Sequence, residues 1–330
     1  MDRMRIGIIG CGGIAGVHVE RLKTLEDVQL VAFADIVEEK AELFSKGYKG
    51  EPYTDWREML DKEDLNIVYI CLPPFAHTDE VMVAAEKGIH IFIEKPIALN
   101  MKLAGEMVRS VEKSGVKSQV GYASRFAYGI EEAKRLIESG EAGEVGLAAG
   151  WYWCHFLGGK WWIDKSKSGG QIVEQSTHLF DVLRHLCGEV EMVCGQMSTK
   201  FWTDVPDLTV EDVSSSSFRF RSGAVGSIVS TTWGVPSQWW FRWMIAAGNF
   251  TLYSEDRSTL TLHTTKTPLK TKTVSEERDT FLLEAKDLVQ AALGDKDTRV
   301  PIQEGAKTLE FTLAVRKSME TGETVRLPLN

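Results

Sequence analysis

A glycine-rich turn near the start of the chain has the residue types needed to bind a dinucleotide. In the run IGIIGCGGIA, Gly10, Gly12 and Ala15 match the pattern G-x-G-x-x-G/A. In such a turn the first glycine allows a tight bend, the second lets a pyrophosphate approach the backbone, and the small third residue packs the helix on the strand. Gly13 and Ile14 then begin a helix, whose free N–H groups and positive dipole end favour phosphate.

Asp35 follows the next apolar run, at 30–34, and predicts which dinucleotide is preferred. A carboxylate at this position accepts hydrogen bonds from ribose hydroxyls and repels a 2′-phosphate. No lysine or arginine follows before Lys40. We therefore predict NAD as the cofactor, in preference to NADP. The alternative is that Asp35 only caps a turn.

Lys95 lies within Glu94-Lys95-Pro96, directly after an apolar run at 89–93. Parallel sheets bind ligands at the carboxyl ends of their strands. Lys95 is therefore a candidate for the functional site, and a surface lysine before a proline turn is the alternative.

Glu174 and His178 are four residues apart, which places them on one helix face if the segment after Gly170 is helical. A metal pair would need a third ligand, and no Cys, His or carboxylate shares this segment at ligand spacing. We predict no metal site. A histidine that serves only the core or a helix cap is the alternative for His178.

The order of strand-like and helical patterns predicts how these residues are positioned. As far as Gly121 the two alternate, which is typical of a doubly wound parallel sheet. Then come a helix at 129–139, a Gly-rich bend, a Trp-rich segment, a helix near Gly170, six strand-like runs between 190 and 264, and two final helices at 276–293 and 303–320. We predict an α/β fold with a Rossmann domain at 1–121 and, at 122–330, an α/β domain built on a large, mostly antiparallel sheet.

Composition limits the function classes. The 330 residues are 43% hydrophobic and 26% charged, as in ordinary globular proteins. The 38 Lys and Arg against 47 Asp and Glu give a net charge of −9, which weighs against nucleic acid as a partner. We also expect no membrane span, no signal peptide before the first strand, and, from five scattered cysteines, reduced thiols in a cytoplasmic protein.

The ordered set of motifs resembles the Gfo/Idh/MocA family, named for glucose-fructose oxidoreductase, inositol dehydrogenase and a rhizopine-catabolism protein. Besides the glycine turn and Glu94-Lys95-Pro96, the shared features are Pro73-Pro74-x-x-His77, Gly169-Gly170 with Glu174 and His178-x-x-Asp181, and a last helix from Gly305-Ala306 to Ser318-x-x-x-Gly322. The resemblance covers essentially the whole chain. It implies a Rossmann domain, a second domain that often makes dimer or tetramer contacts, and oxidation of a sugar, inositol or polyol alcohol to a ketone, or the reverse.

The resemblance also implies roles for individual residues. In the family's inositol dehydrogenase a lysine, an aspartate and a histidine four residues later surround the reacting hydroxyl. Lys95 and His178 match, and Glu174 occupies the aspartate position. Lys95 then stabilises the developing alkoxide and His178 takes its proton. Glu174 orients the imidazole or binds a substrate hydroxyl, although its extra methylene suggests a different substrate pose.

Further contacts are expected around these residues. Cofactor contacts are expected at Pro73, His77, Glu94 and Lys95, with His77 either beneath the nicotinamide or a plain loop histidine. Indoles offer flat apolar faces to sugar rings, so Trp161 and Trp162 are assigned to substrate together with Arg125. Asp181 is expected to pair with Arg184 or Arg125. Positive charge nearby leaves an acidic sugar or sugar phosphate open, and its sources are Arg125, Lys160, Lys165 and Lys167.

The leading hypothesis is an NAD-dependent oxidoreductase, active on a carbohydrate or cyclic polyol and assembled as a homodimer or homotetramer. Two alternatives stay open. One is a lyase or glycosidase that oxidises a sugar carbon transiently and regenerates NAD. The other is a non-catalytic NAD or ligand sensor, which the glutamate at position 174 leaves open.

Overall fold

A computed structural model describes residues 3–329, so Met1 and Asp2, on which the signal-peptide prediction partly rests, lie outside the described residues, as does Asn330. The chain divides into two compact units. Unit 1 comprises Met1–Ala123 and Asp279–Ala306, and unit 2 comprises Ser124–Arg278 and Lys307–Asn330. The sequence predicts one division after 121. The chain first leaves unit 1 at 123, but it returns there for Asp279–Ala306.

Unit 1 is built on six parallel strands in the order β3-β2-β1-β4-β5-β6. The strands are β1 (Met4–Ile9), β2 (Val28–Ala34), β3 (Glu51–Tyr53), β4 (Ile67–Ile70), β5 (His90–Ile93) and β6 (Ser118–Val120). The helices are α1 (Gly13–Leu22), α2 (Glu38–Tyr48), α3 (Trp56–Lys62), α4 (Glu80–Glu86) and α5 (Met101–Ser114). Every residue of β4 is buried, as expected for a strand covered on both faces. The predicted parallel sheet is confirmed.

Unit 2 is built on nine strands in the order β14-β13-β12-β11-β7-β10-β9-β8-β15. These are β7 (Val145–Cys154), β8 (Val190–Ser198), β9 (Val213–Phe220), β10 (Val225–Thr231), β11 (Trp239–Ala247), β12 (Phe250–Ser254), β13 (Thr259–Thr264), β14 (Thr271–Ser275) and β15 (Val325–Arg326). Its first helices are α6 (Tyr128–Glu138), α7 (Lys165–Ser168), α8 (Gln171–Glu174) and α9 (Thr177–Cys187). Only β7 and β10 pair in parallel, so the prediction of a mostly antiparallel sheet is confirmed.

Strand β7 lies in the middle of this sheet. It is formed by the part of the chain for which the sequence predicts a Gly-rich bend and a Trp-rich segment. Its alternate residues Ala148, Tyr152 and Cys154 are buried. Between them, Gly150 provides room for α9: a Cβ at this position would lie 2.7 Å from Leu179 Cδ2. The glycine that weakens the strand pattern is therefore the residue that lets α9 pack closely.

The last two helices are α10 (Thr280–Leu293) and α11 (Ile302–Thr321), and β15 follows them. In α10, Ala285, Leu288 and Val289 are buried in one cluster with Ile8 and Val19. This apolar face explains why α10 belongs to unit 1 rather than to the second predicted domain. Within residues 3–329, no helix combines the length and the apolar character that a membrane crossing requires.

Candidate functional site

The turn between β1 and α1 leaves space for a phosphate group. Gly10 has φ +88, and a Cβ there would lie 2.6 Å from the Cys71 carbonyl oxygen, so only glycine fits. Gly12 precedes α1 without a side-chain cap, and Cβ positions at Gly12 and Gly13 meet nothing within 4 Å. The N-terminus of α1 is therefore open to an anion, which its unbonded N–H groups favour.

Asp35 is fixed against this turn. Its Oδ2 accepts the N–H of Cys11 at 2.9 Å, and its Oδ1 accepts the N–H of Val37 at 2.9 Å. Each carboxylate oxygen keeps a lone pair that can accept a ribose hydroxyl. Burial, then the charge of Asp35, raises the pKa of the Cys11 thiol to about 12, so the turn carries no thiolate. These residues fit a dinucleotide.

Lys95 extends from the carboxyl end of β5. The N–H of Glu94 donates to the Ile70 carbonyl at 2.9 Å, which continues the pairing with β4. The buried Glu94 carboxylate then turns back: Oε2 accepts the N–H of Lys95 at 3.1 Å, and Oε1 lies 2.7 Å from His18 Nε2. Lys95 is half-buried, on a backbone that its neighbour holds.

Four of the predicted cofactor positions follow parallel strands of unit 1. Gly10 follows β1, Asp35 follows β2, Pro73 comes shortly after β4, and Lys95 comes shortly after β5. Parallel strands present their carboxyl ends at one edge of the sheet, and β1 is flanked there by β2 and β4, where the strand order reverses. The structure brings these four positions to one edge of one unit.

His77 has a local role in the structure. It follows Pro73 and the short turn Pro74–Ala76, and its Nδ1 lies 2.6 Å from Glu80 Oε1. Both side chains are fully buried, and Glu80 Oε2 also accepts the N–H of Thr78 at 2.7 Å. Burial alone would raise the pKa of Glu80, but His77 and these bonds hold it below its usual value. His77 thus joins the turn to α4, and its contact with nicotinamide stays a prediction.

In unit 2, a glycine pair and a buried carboxylate fix the start of α8. Gly169 and Gly170 have φ +86 and +93, left-handed values that favour glycine. The carboxylate of Glu211 is packed on Gly170, where a Cβ would lie 2.8 Å from its oxygens. Its Oε1 accepts the N–H of Ile172 at 3.1 Å, and its Oε2 lies 3.2 Å from Lys165 Nζ. The turn before α8 therefore has one well-defined conformation.

Glu174 and His178 do not share one continuous helix, which corrects the prediction. Glu174 ends α8 and His178 lies in the first turn of α9. Between them, the N–H of Ser176 donates to the Gln171 carbonyl, five residues back, at 2.9 Å. This wide turn is of the π type, which is frequent at functional sites. The spacing of Glu174 and His178 is thus set by a break in the helix.

Glu174 is held by Trp162, whose Nε1 donates to Glu174 Oε2 at 2.6 Å. Trp162 is only 3% exposed, packs edge to face on Phe156 and closely covers Gly158. The Trp162 ring is therefore largely covered within the described chain, and its contact with a sugar stays a prediction. Trp161 is half-buried and stays a predicted substrate contact.

Arg125, a predicted substrate contact, is 4% exposed and paired with Asp181. Its Nε and Nη2 donate to the two carboxylate oxygens at 2.8 and 2.7 Å, which confirms the expected ion pair. Thr308 donates to Asp181 Oδ1 at 2.8 Å. Burial alone would raise the pKa of Asp181, but the charge of Arg125 holds it below its usual value. This pairing accounts for the burial of the guanidinium, and it anchors α9.

Most of the lysines that could select an acidic substrate form ion pairs with acidic side chains of this unit. Lys165 pairs with Glu211, and Lys167 Nζ lies 3.3 Å from Asp164 Oδ2. Lys160 is exposed. Two of these three lysines are therefore compensated locally. Among the described residues, no group of three His, Cys, Asp or Glu side chains could hold a metal ion.

Three contacts of the site were missed by the sequence analysis: His18 with Glu94, Glu211 with Ile172, and Trp162 with Glu174. The first two join residues 76 and 39 positions apart. His18 does lie three residues after Ala15 in the glycine motif, one helical turn further along α1. That spacing was the only available signal that it faces the sheet.

Comparison with known proteins agrees with this geometry. Residues 4–122 match the GFO_IDH_MocA model, described as an oxidoreductase family with an NAD-binding Rossmann fold. Residues 130–253 match the GFO/IDH/MocA C-terminal domain. Together the two matches span most of the chain and fall on both halves of the predicted architecture.

Individual proteins are similar over various lengths. Myo-inositol 2-dehydrogenase of Thermotoga maritima is 26% identical over 339 aligned residues, 98% of each chain. The scyllo-inositol 2-dehydrogenase (NAD(+)) of Bacillus subtilis is 29% identical over 232 residues, 68% of this chain and 66% of the relative. Levoglucosan dehydrogenase, solved with NADH and L-sorbose, superposes with a TM-score of 0.92 at 21% identity over the whole of both chains. At that identity the likeness establishes the fold.

Proposed function

Because the chain belongs to the GFO/IDH/MocA family of NAD-binding oxidoreductases, we propose that it interconverts a secondary alcohol and a ketone on a sugar, an inositol or a related polyol, with NAD as cofactor. The proposal rests on one observation: the glycine turn, Asp35 and Lys95 each follow a parallel strand at the same edge of the unit 1 sheet. The named substrates of the relatives, inositols and levoglucosan, are ring alcohols and support this class.

The preference for NAD rests on Asp35. Both of its oxygens are held by backbone N–H groups, so the carboxylate is fixed at the end of β2. The next two residues, Ile36 and Val37, are exposed and apolar, so they offer no positive charge to a 2′-phosphate. We expect Asp35 to accept the ribose hydroxyls and to repel the additional phosphate of NADP.

The chain's own part in the reaction is to move a proton and to balance charge. When bound, nicotinamide supplies the hydride acceptor. His178 takes the hydroxyl proton as general base, since imidazole is well suited to proton transfer near neutrality. Lys95 stabilises the negative charge that develops on the same oxygen. Glu174 accepts a second substrate hydroxyl, with its position set by Trp162 Nε1.

We also propose that the chain assembles as a homodimer or homotetramer, as the resemblance implies. Light scattering coupled to gel filtration distinguishes these states from a monomer of 36.9 kDa. A monomer at micromolar concentration would overturn this part of the proposal and leave the activity untouched.

A substrate and cofactor panel tests the function. Myo-inositol, scyllo-inositol, levoglucosan, glucose, glucose 6-phosphate and glucuronate are each supplied with NAD or NADP, and the absorbance of the reduced nicotinamide is followed. We expect reduction with at least one ring alcohol and a higher kcat/KM with NAD. Turnover without net reduction would favour the transient-oxidation lyase or glycosidase. Tight NAD binding with no product from any compound would favour the sensor.

A variant pair tests the cofactor assignment separately. Asp35→Asn keeps the shape but removes the charge, so we expect the preference for NAD over NADP to narrow about tenfold or more. Asp27→Asn, at an exposed acid of the same unit, is the control and leaves the ratio unchanged. An unchanged ratio in Asp35→Asn would contradict the role of Asp35.

A further inference from the structure

A buried imidazole and carboxylate adjoin Lys95 in unit 1. His18, on α1, is 1% exposed, and its Nε2 lies 2.7 Å from Glu94 Oε1. The other oxygen of the same carboxylate accepts the backbone N–H of Lys95 at 3.1 Å. We propose that His18 is a positioning residue for Lys95, acting through Glu94; the inference rests on the proposed role of Lys95.

The orientation of the imidazole is fixed by the rings around it. Phe92 packs edge to face on His18 with centroids 4.6 Å apart, while Tyr69 and Phe281 lie at 5.5 and 5.6 Å. A ring packed on several sides has little freedom to rotate. Nε2 therefore stays directed at Glu94, and movement of α1 is transmitted to the carboxylate.

The carboxylate is confined on its other side by Gly121. A Cβ at this position would lie 2.9 Å from Glu94 Oε2 and 3.0 Å from Oε1. Because residue 121 is glycine, the space beside it is open to the Glu94 carboxylate. With the imidazole on one oxygen and the Lys95 N–H on the other, Glu94 has one placement, and it sets the backbone from which the Lys95 side chain extends.

A second buried acid lies near the pair. Glu284 on α10 is fully buried, and burial, then the charge of Glu94, raises its pKa well above the usual value. The raised pKa disfavours a second negative charge beside Glu94. The distance from His18 Nε2 to Glu94 Oε1, 2.7 Å, is that of a hydrogen bond, in which an imidazole N–H donates to the carboxylate oxygen.

The pair also links the phosphate-binding turn to the lysine. The helix that begins at Gly13, where the pyrophosphate is expected, carries His18 in its second turn. One rigid helix therefore supports both ends of the proposed cofactor site. Loss of the His18 bond should release Lys95 while leaving the glycine turn intact.

Three variants of the full chain test the inference. His18→Asn removes the donor at Nε2, while His18→Gln places an amide N–H where Nε2 lies. Val19→Ala removes buried packing from the adjacent position of α1, which is also fully buried, and it leaves Glu94 untouched. The three changes separate loss of the bond from loss of stability.

The first measurement needs no turnover. The folded protein is exposed to a limiting amount of an acetylating reagent, and peptide mass spectrometry gives the modification rate of Lys95 relative to the exposed Lys46. We expect a several-fold faster rate in His18→Asn, and wild-type rates in His18→Gln and Val19→Ala. Equal rates in all four proteins, or an equal increase in Val19→Ala, would overturn the inference.

The second measurement uses the best substrate of the panel. We expect kcat of His18→Asn to fall by about 10–100-fold, as for other residues that orient a functional group. The KM for NAD and the Kd for NADH should stay unchanged, and His18→Gln should recover most of kcat. Without activity in the wild type the proposed function fails, and the labelling rates still decide the role of His18.

Discussion

Each unit buries a carboxylate against a basic side chain, Glu94 against His18 in unit 1 and Asp181 against Arg125 in unit 2. In unit 2 the charges balance: Arg125 binds both oxygens of Asp181, and Thr308 adds a third bond. A buried pair of this kind, fully hydrogen-bonded, holds structure together.

One buried acid of unit 1, Glu284, is not balanced in this way. Glu284 makes no hydrogen bond of ordinary geometry to the rest of the described chain, although Gln119 is a polar neighbour that lowers its pKa. Burial raises the pKa of the Glu284 carboxyl, whereas the charge of Arg125 holds the pKa of the Asp181 carboxyl below its usual value. Buried polar groups without partners cost stability and are often kept for function. We infer that the buried pair in unit 2 stabilises the fold, whereas the buried acids of unit 1 position the proposed site.

The largest effect on stability is expected from breaking the pair in unit 2. Asp181→Asn keeps the shape but leaves the charge of Arg125 buried without compensation. We expect a loss of about 3–5 kcal/mol in the free energy of unfolding, measured by urea denaturation. Glu138→Gln, which removes an exposed partner of Lys134, is the control and should leave stability unchanged. A stable Asp181→Asn protein would contradict the structural role.

A matched pair of glycine substitutions separates the roles of the two units. Both units place a glycine against a buried carboxylate, Gly170 against Glu211 and Gly121 against Glu94. Gly170→Ala adds strain at φ +93 to the clash, so we expect a loss of about 1–3 kcal/mol and a lower Tm. Gly121→Ala displaces Glu94, so we expect a clear loss of kcat with little change in Tm. The reverse pattern, with kcat lost only in Gly170→Ala, would contradict the division of roles.

The smallest effect on stability, and one of opposite sign, is expected at Glu284. Because the folded state raises its pKa, its contribution to stability is complete below the ordinary value of 4.5 and is lost as the pH rises towards the raised value. Glu284→Gln mimics the neutral acid, so its Tm should match the wild type at pH 4 and exceed it at pH 8. Glu26→Gln, at an exposed acid, should show no such trend. An advantage that falls as the pH rises would contradict the raised pKa.

The first half of the fold could be predicted because its signals are local. The glycine turn, Asp35 and Lys95 each stand beside a short apolar run, and the alternation of strands and helices predicts the sheet that aligns them. The second half depends on distant partners. Strand β7 contains Gly146 and Gly150, which weaken a strand pattern, and it is stabilised by β10 and β11, more than 70 residues further along the chain.

The site contacts that were missed have the same origin. Trp162 is of a residue type that stacks on sugar rings, and only the assembled structure, with Phe156 and Gly158 packed on the indole, shows that the side chain is buried. The return of α10 to unit 1 is likewise decided by apolar contacts with α1 rather than by any boundary signal in the sequence. Residue types predict chemistry well, whereas burial and pairing come from the assembled core.

The most direct test of the proposed function is the turnover of Lys95→Met and His178→Ala on the best substrate of the panel, with NADH binding measured in parallel. We expect kcat/KM to fall by about 10²–10⁴-fold in each variant. The Kd for NADH should stay at the wild-type value in His178→Ala and should change far less than kcat/KM in Lys95→Met. If both variants retained turnover and bound NADH normally, Lys95 and His178 would not carry the chemistry assigned to them.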